Sequence, residues 1–194
     1  AALQVAGSVD EVIVAAREED ILEISQLCRT YGLTKCTKVI RGGENRVHSV
    51  LLAALEASPE MELLAVQDGA RPLVTPELVD RVVFAAARCS AAAPAVAVKD
   101  TMKSVREDGG VEETLDRGRL RAVQTPQVFE ASLLKAALQS ALEQEAPVTD
   151  DASAVERLGK VVFLVEGEEE NLKITTPMDM ILAEAIVKAR EEGR

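Results

Sequence analysis

Apolar positions along the chain follow two rhythms, and the switches between them outline a fold. Residues 11–16 (EVIVAA) form a short apolar run that predicts a strand. Residues 18–31 carry Ile21, Ile24, Leu27 and Cys28 at helical spacing, and Gly32 stops that helix. Residues 38–40 predict a strand running into Arg41-Gly42-Gly43. Residues 46–57 put Val47, Val50, Leu51, Ala54 and Leu55 on one helical face. Residues 63–66 (LLAV) carry no charge, the pattern of a strand buried on both faces of a parallel sheet. Thr75-Pro76-Glu77 then reads as a helix start, with Thr as N-cap and Pro in the first turn. Residues 1–6 read as the end of a helix, stopped by Gly7. This alternation predicts an α/β chain with a doubly wound, mostly parallel sheet in three α/β/α layers.

The rhythm changes after residue 95. Residues 95–98 predict a strand. Residues 101–105 and 111–115 alternate polar and apolar side chains around Glu107-Asp108-Gly109-Gly110, a β-hairpin signal. A lone hairpin is marginal in water, so this arm, about residues 99–120, is expected to pack on a second subunit. Residues 120–124 return to the sheet. Residues 130–144 predict a helix, and Thr149-Asp150-Asp151 caps another that ends at Gly159. Strands at 161–165 and 173–175 precede a last helix opened by Thr176-Pro177. One domain over residues 1–194 is expected, since domains commonly run to about 100–200 residues.

Composition narrows the function. The net charge of −11 and an aromatic content of 2% argue against a nucleic-acid partner, which calls for basic surface and stacking platforms. No apolar run suits a membrane span. Cys28, Cys36 and Cys89 show no metal spacing and are expected to be reduced, mostly structural thiols in a cytoplasmic protein.

The candidate chemistry lies where strands end. Ligands of open α/β sheets bind beyond the carboxyl ends of the strands. Asp68, at the end of 63–66, can hold a hard cation such as Mg²⁺ there, and Arg71 can grip a phosphate. The competing reading is an Asp–Arg pair that ties down a loop. Gly42 and Gly43 join a strand to a helix, where backbone N–H groups bind anions or base edges, and Ser49 adds a hydroxyl; paired glycines are also ordinary turn residues. His48 is the only histidine and lacks the partners of a triad or a His-based metal site. Asp116-Arg117 and Gln124-Thr125-Pro126-Gln127 read equally as a surface pair and a turn. Lys173 has apolar flanks, before a helix cap.

The segments GGENRVHS, VQDGARP, KDTMK, LDR, QTPQVF, TDDAS and ENLKITTP resemble, in this order, those of the 2-C-methyl-D-erythritol 4-phosphate cytidylyltransferases. The resemblance spans essentially the whole chain. It implies a Rossmann-like fold with a β-arm that clasps a second subunit. It also implies transfer of CMP from CTP to methylerythritol phosphate, with loss of pyrophosphate, in non-mevalonate isoprenoid synthesis. By motif, Gly42, Gly43 and Ser49 would recognise cytosine, and Asp68 would hold Mg²⁺ and nucleotide. Arg71, Thr101, Arg117, Thr125, Thr149 and Lys173 would surround the sugar phosphate. Lys173 and Arg117 would hold and neutralise the attacking phosphate, with Thr101 and Arg117 serving the partner subunit's site.

This chain has Gln67-Asp68-Gly69 where the family usually reads HDA, and Arg121 where an aromatic is usual. The family also opens with a strand and a Gly-rich loop bearing an Arg and a Lys, which nothing in residues 1–16 matches. The expectation is that about 40 residues of such a segment precede Ala1 in the natural chain. Two alternatives stand beside this reading: a ribitol-5-phosphate cytidylyltransferase, and a non-catalytic nucleotide-binding relative.

Overall fold

The computed structural model describes residues 2–193. A short helix α1 (Ala2–Val5) precedes strand β1 (Val12–Ala16), a 3-10 turn (Glu18–Asp20), helix α2 (Ile21–Thr30) and strand β2 (Cys36–Arg41). Helix α3 (Arg46–Glu56), strand β3 (Leu63–Val66), helix α4 (Pro76–Cys89) and strand β4 (Ala91–Ala97) follow. The arm is β5 (Lys103–Val105) and β6 (Val111–Thr114). A second 3-10 turn (Arg117–Arg119) leads to β7 (Arg121–Val123), β8 (Gln127–Glu130), α5 (Ala131–Glu143), α6 (Asp151–Arg157), β9 (Phe163–Glu166) and α7 (Pro177–Glu192).

β1 and β2 pair in parallel as a separate two-stranded sheet. In the five-stranded sheet β3, β4 and β9 run one way. β7 and β8 oppose them: β8 links β3 to residues 91–92 of β4, and β7 pairs with residues 95–97. The fold is thus mixed α/β and Rossmann-like, with the strands that feed helices mostly parallel.

Successive side chains of a strand point to opposite faces, and the core divides accordingly. Ala92 and Val128 pack with Leu78, Val79, Val82 and Ala86 of α4 on one face. Ala91 and Phe129 pack with Leu134, Leu138, Ala152 and Val155 of α5 and α6 on the other. Caps set where the helices begin. The side chains of Asn45, Thr75, Asp150 and Thr176 each accept a backbone N–H in the first turn of α3, α4, α6 and α7.

The sequence reading departs from the structure in several places. Residues 63–66 are not a strand buried on both faces of a parallel sheet: β3 ends the sheet, pairs antiparallel with β8, and leaves Ala65 exposed. β4 begins four residues earlier than the apolar run suggests, because its first half is an alanine stretch of weak strand propensity. The return after the arm is two strands, with β8 hidden behind Thr125-Pro126. Residues 173–175 form no strand; Ile174 only donates its N–H to the Ala70 carbonyl at 2.8 Å. Among the described residues no helix is long and apolar enough to cross a membrane.

Candidate active site

Charge converges at the carboxyl end of β3. Asp68 is mostly buried and lies between two cations: Lys173 Nζ is 2.9 Å from Oδ2, and Arg46 Nη2 is 3.3 Å from Oδ1. Arg46 is held in turn by Asp151, donating to Oδ1 at 3.0 Å and Oδ2 at 2.6 Å in a two-pronged bond. Asp151 is fully buried in the first turn of α6. These residues come from the starts of α3 and α6, the end of β3 and the segment before α7, so only the folded chain assembles them.

The electrostatics follow from this packing. Burial pushes the Asp68 carboxyl up, but the hydrogen bond from Lys173 and the charge of Arg46 outweigh it and hold the carboxyl below its ordinary range. Burial raises Asp151, while the Arg46 fork opposes that rise. Desolvation works against the Arg46 charge, and the bonds and charges of Asp151 and Asp68 together more than offset it.

A second layer fixes the loop. Asp68 N–H donates to Thr125 Oγ1 at 3.1 Å. Buried Asn171 donates through Nδ2 to the Thr125 carbonyl at 2.9 Å, and its own backbone carbonyl accepts from Arg71 Nη1 at 2.6 Å. Gln127 joins the layer from below, accepting from Ala152 N–H and donating to Asp150. Among the described residues the buried side-chain polar atoms without a partner are Gln67 Oε1, Arg71 Nε and Asn171 Oδ1. All three flank this loop, and such groups are costly unless a functional contact uses them. A cleft of about 230 Å³ runs beside it, bordered by Gln67, Asp68, Gly69 and Arg71 on one side and by Val12 and Val14 of β1 on the other. The larger cleft, about 530 Å³, lies away from this cluster, between α2 and β2.

The glycine segment sits at the end of β2. Gly42 N–H donates to the Ala16 carbonyl at 2.7 Å, joining the ends of β1 and β2. Gly43 N–H donates to Ser49 Oγ at 3.0 Å, and that hydroxyl donates to the Asn45 carbonyl at 2.8 Å. A Cβ on Gly43 would collide with the ring of His48, so no larger residue fits there without moving it. His48 accepts from Glu44 N–H through Nδ1 at 3.4 Å, a loop contact.

The sequence-derived candidates thus separate. Asp68 and Lys173 touch. Arg71 and Thr125 support the Asp68 loop, Arg71 through carbonyls and not through a pair with Asp68. Gly42, Gly43 and Ser49 form one turn. Thr149 is exposed just ahead of α6. Thr101 and Arg117 lie at the base of the arm, where Arg117 donates to the Lys99 carbonyl. Sequence reasoning missed the roles of Arg46, Asp151 and Asn171. Arg46 and Asp151 stand inside motifs that were noticed, but 105 residues separate them, and no local spacing signals their pairing.

Known proteins share this sequence and fold. The family described as IspD, 2-C-methyl-D-erythritol 4-phosphate cytidylyltransferase, matches residues 1–189. The protein of that name from Pelotomaculum thermopropionicum is 42% identical over 192 residues, 98% of this chain and 80% of the relative. The crystal structure of 2-C-methyl-D-erythritol 4-phosphate cytidylyltransferase from Thermus thermophilus is 40% identical with a TM-score of 0.71, over 78% of this chain and 73% of that one. That of 4-diphosphocytidyl-2C-methyl-D-erythritol synthase from Anaerococcus prevotii is 30% identical with a TM-score of 0.88, over 96% and 82%. On these matches the chain belongs to the 2-C-methyl-D-erythritol 4-phosphate cytidylyltransferase family.

Proposed function

We propose that the protein transfers CMP from CTP to 2-C-methyl-D-erythritol 4-phosphate, a step of non-mevalonate isoprenoid synthesis. An oxygen of the substrate's phosphate attacks the α-phosphorus of CTP. The new P–O bond forms as the bond to the β-phosphate breaks, and pyrophosphate leaves. Two anions must meet in line, so positioning and positive charge supply most of the catalysis. The observation that carries the reading is Lys173 on Asp68 at the end of β3, in a chain whose relatives bear this enzyme's name. Lys173 is half-exposed and free to turn from Asp68 to a phosphate. Gly42, Gly43 and Ser49 would face the cytosine, and Arg71, Thr125 and Thr149 the sugar phosphate.

Among the described residues no three His, Cys, Asp or Glu side chains gather as a metal cage. Mg²⁺ needs no such cage, since it commonly takes one or two carboxylates and completes its shell with phosphate oxygens and water. Asp68 fits that role, because its Oδ1 is held only by the long Arg46 contact. Mg²⁺ would neutralise charge on the triphosphate. The exposed arm supports a homodimer in which Arg117 and Thr101 act on the partner's substrate. Three free thiols suit a cytoplasmic protein.

The test is steady-state pyrophosphate release with CTP and methylerythritol phosphate. Lys173→Ala should lower turnover by roughly 10²–10³, the scale for one charge-stabilising donor. Wild-type turnover in that variant overturns the site, and equal use of UTP overturns the cytosine assignment.

A further inference from the structure

Cys28 and Cys36 are a pair of reactive side chains that the proposed reaction does not use. Cys28 lies in the last turns of α2 and Cys36 opens β2. Their sulfurs are 3.3 Å apart, with Cys28 Sγ donating to Cys36 Sγ. The connection between them holds this approach in place. Gly32 turns the chain at φ +63°, Leu33 N–H donates to the Cys28 carbonyl at 2.8 Å, and Cys36 N–H donates to the Leu33 carbonyl at 3.1 Å. Both thiols are partly exposed, and both border the cleft of about 530 Å³ between α2 and β2. Cys89 differs: it lies far along the chain, as the last residue of α4, donating to the Ala85 and Ala91 carbonyls.

We propose that Cys28 and Cys36 form a reversible dithiol–disulfide site, oxidised by a low-molecular-weight disulfide that enters through this cleft. A disulfide bond is about 2.0 Å long, so the sulfurs need to close by little more than 1 Å. The Cys28 thiolate attacks one sulfur of the incoming disulfide and expels the first small thiolate, leaving a mixed disulfide on Cys28. Cys36 gives its proton to solvent, attacks the Cys28 sulfur and expels the second small thiolate. In sum, two protein thiols lose two hydrogens and one small disulfide is reduced to two thiols. The order follows from the surroundings of Cys36, whose thiol burial and Cys28 push up to about 11. Cys36 therefore stays protonated until its neighbour is capped, and thiolate is the attacking form.

The bond would tie α2 to β2: none of the residues of α2 is buried, and Leu22 and the C-cap Tyr31 are largely exposed. Cys36 is at the opposite end of β2 from Gly42, about 20 Å away at the rise of a strand, and both cysteines also line the cleft of about 230 Å³ that reaches the Asp68 loop.

The experiment treats the native chain with oxidised glutathione, alkylates the remaining thiols and maps them by mass spectrometry. The expected result is a Cys28–Cys36 cross-link lighter by two hydrogens, alkylation at Cys89 alone, and full reversal by dithiothreitol. Cys36→Ser should trap glutathione on Cys28, because the resolving thiol is gone, and Cys28→Ser should form no internal cross-link. The proposal fails if both thiols stay alkylatable, if glutathione remains on Cys28 in the native chain, or if Cys89 enters the cross-link.

Discussion

The Asp68 corner and the arm are built by opposite means. At the corner, four segments distant in sequence meet, and buried charge is matched by charge: Asp151 by Arg46, and Asp68 by Arg46 and Lys173. In the arm, β5 pairs only with β6, every residue of β6 is exposed, and Val105 and Val111 face outward at 61% and 54% exposure. Its turn is set locally: Asp108 accepts Gly110 N–H at 2.8 Å, and Gly109 takes φ +81°, a conformation glycine adopts freely. The charge pairs of the corner are therefore all made within one chain, whereas the arm has a shape but too little burial to hold it. A structure that spends exposed valines on a self-paired ribbon is prepared for a second surface.

The sharpest way to break that contrast is Arg46→Ala. It strips the partner from Asp151, and a buried carboxylate left without its cation costs about 3 kcal/mol or more. Denaturant unfolding should show that loss. Arg46→Lys should recover only part of it, since an ammonium keeps the charge without the fork. Val111→Ala in the arm should cost under about 0.5 kcal/mol in a monomer, the ordinary size for an exposed site. Equal losses at the two places would erase the distinction.

Subunit mixing comes next. If Arg117 serves the partner's site, Lys173→Ala and Arg117→Ala chains should each be nearly inactive. Dissociated and reassociated together, they should recover about a quarter of wild-type turnover. Half the dimers would then be mixed, each with one intact site of two. A mixture no better than its components would place Arg117 with its own chain's Lys173. Deleting residues 105–111 and closing with a short turn should give monomers in sedimentation, with the unfolding midpoint of the remaining chain little changed. A dimer that survives the deletion would move the interface elsewhere.

The contrast also explains what the sequence revealed. Helix starts were legible because caps are local: Thr75-Pro76 and Thr176-Pro177 act within one turn. The arm was legible for the same reason. β8 was not, because Gln127-Val-Phe-Glu is short and follows a proline, and only its pairing with β3 and β4 makes it a strand. In the site, Asp68 and Lys173 were legible as motif positions. Arg46 and Asp151 were not, because their meaning is a contact between α3 and α6. Thr125 was legible as a site residue, but the structure uses its hydroxyl to hold the Asp68 backbone.

The smallest effect expected is a pH dependence internal to the corner. Asp68 and Asp151 share Arg46, yet their surroundings push them in opposite directions. The folded Asp68 lies below its unfolded value, because Lys173 and Arg46 favour its charge. Its stabilisation is complete above the ordinary aspartate range and is lost as pH falls through the lower folded value. The folded Asp151 lies above its unfolded value, because burial and the nearby charges of Asp150 and Asp68 outweigh Arg46. Fewer protons bound in the unfolded chain mean that its contribution falls as pH rises through that window. Acid should therefore protonate Asp151 first, leaving Arg46 to Asp68 while the Lys173 contact persists. Asp68→Asn should flatten the loss of stability below the ordinary aspartate range, and Asp151→Asn should change the slope just above it, with the opposite sign. Unfolding midpoints of both variants across mildly acidic pH measure this. The same sign in both would mean that burial does not distinguish the two carboxylates.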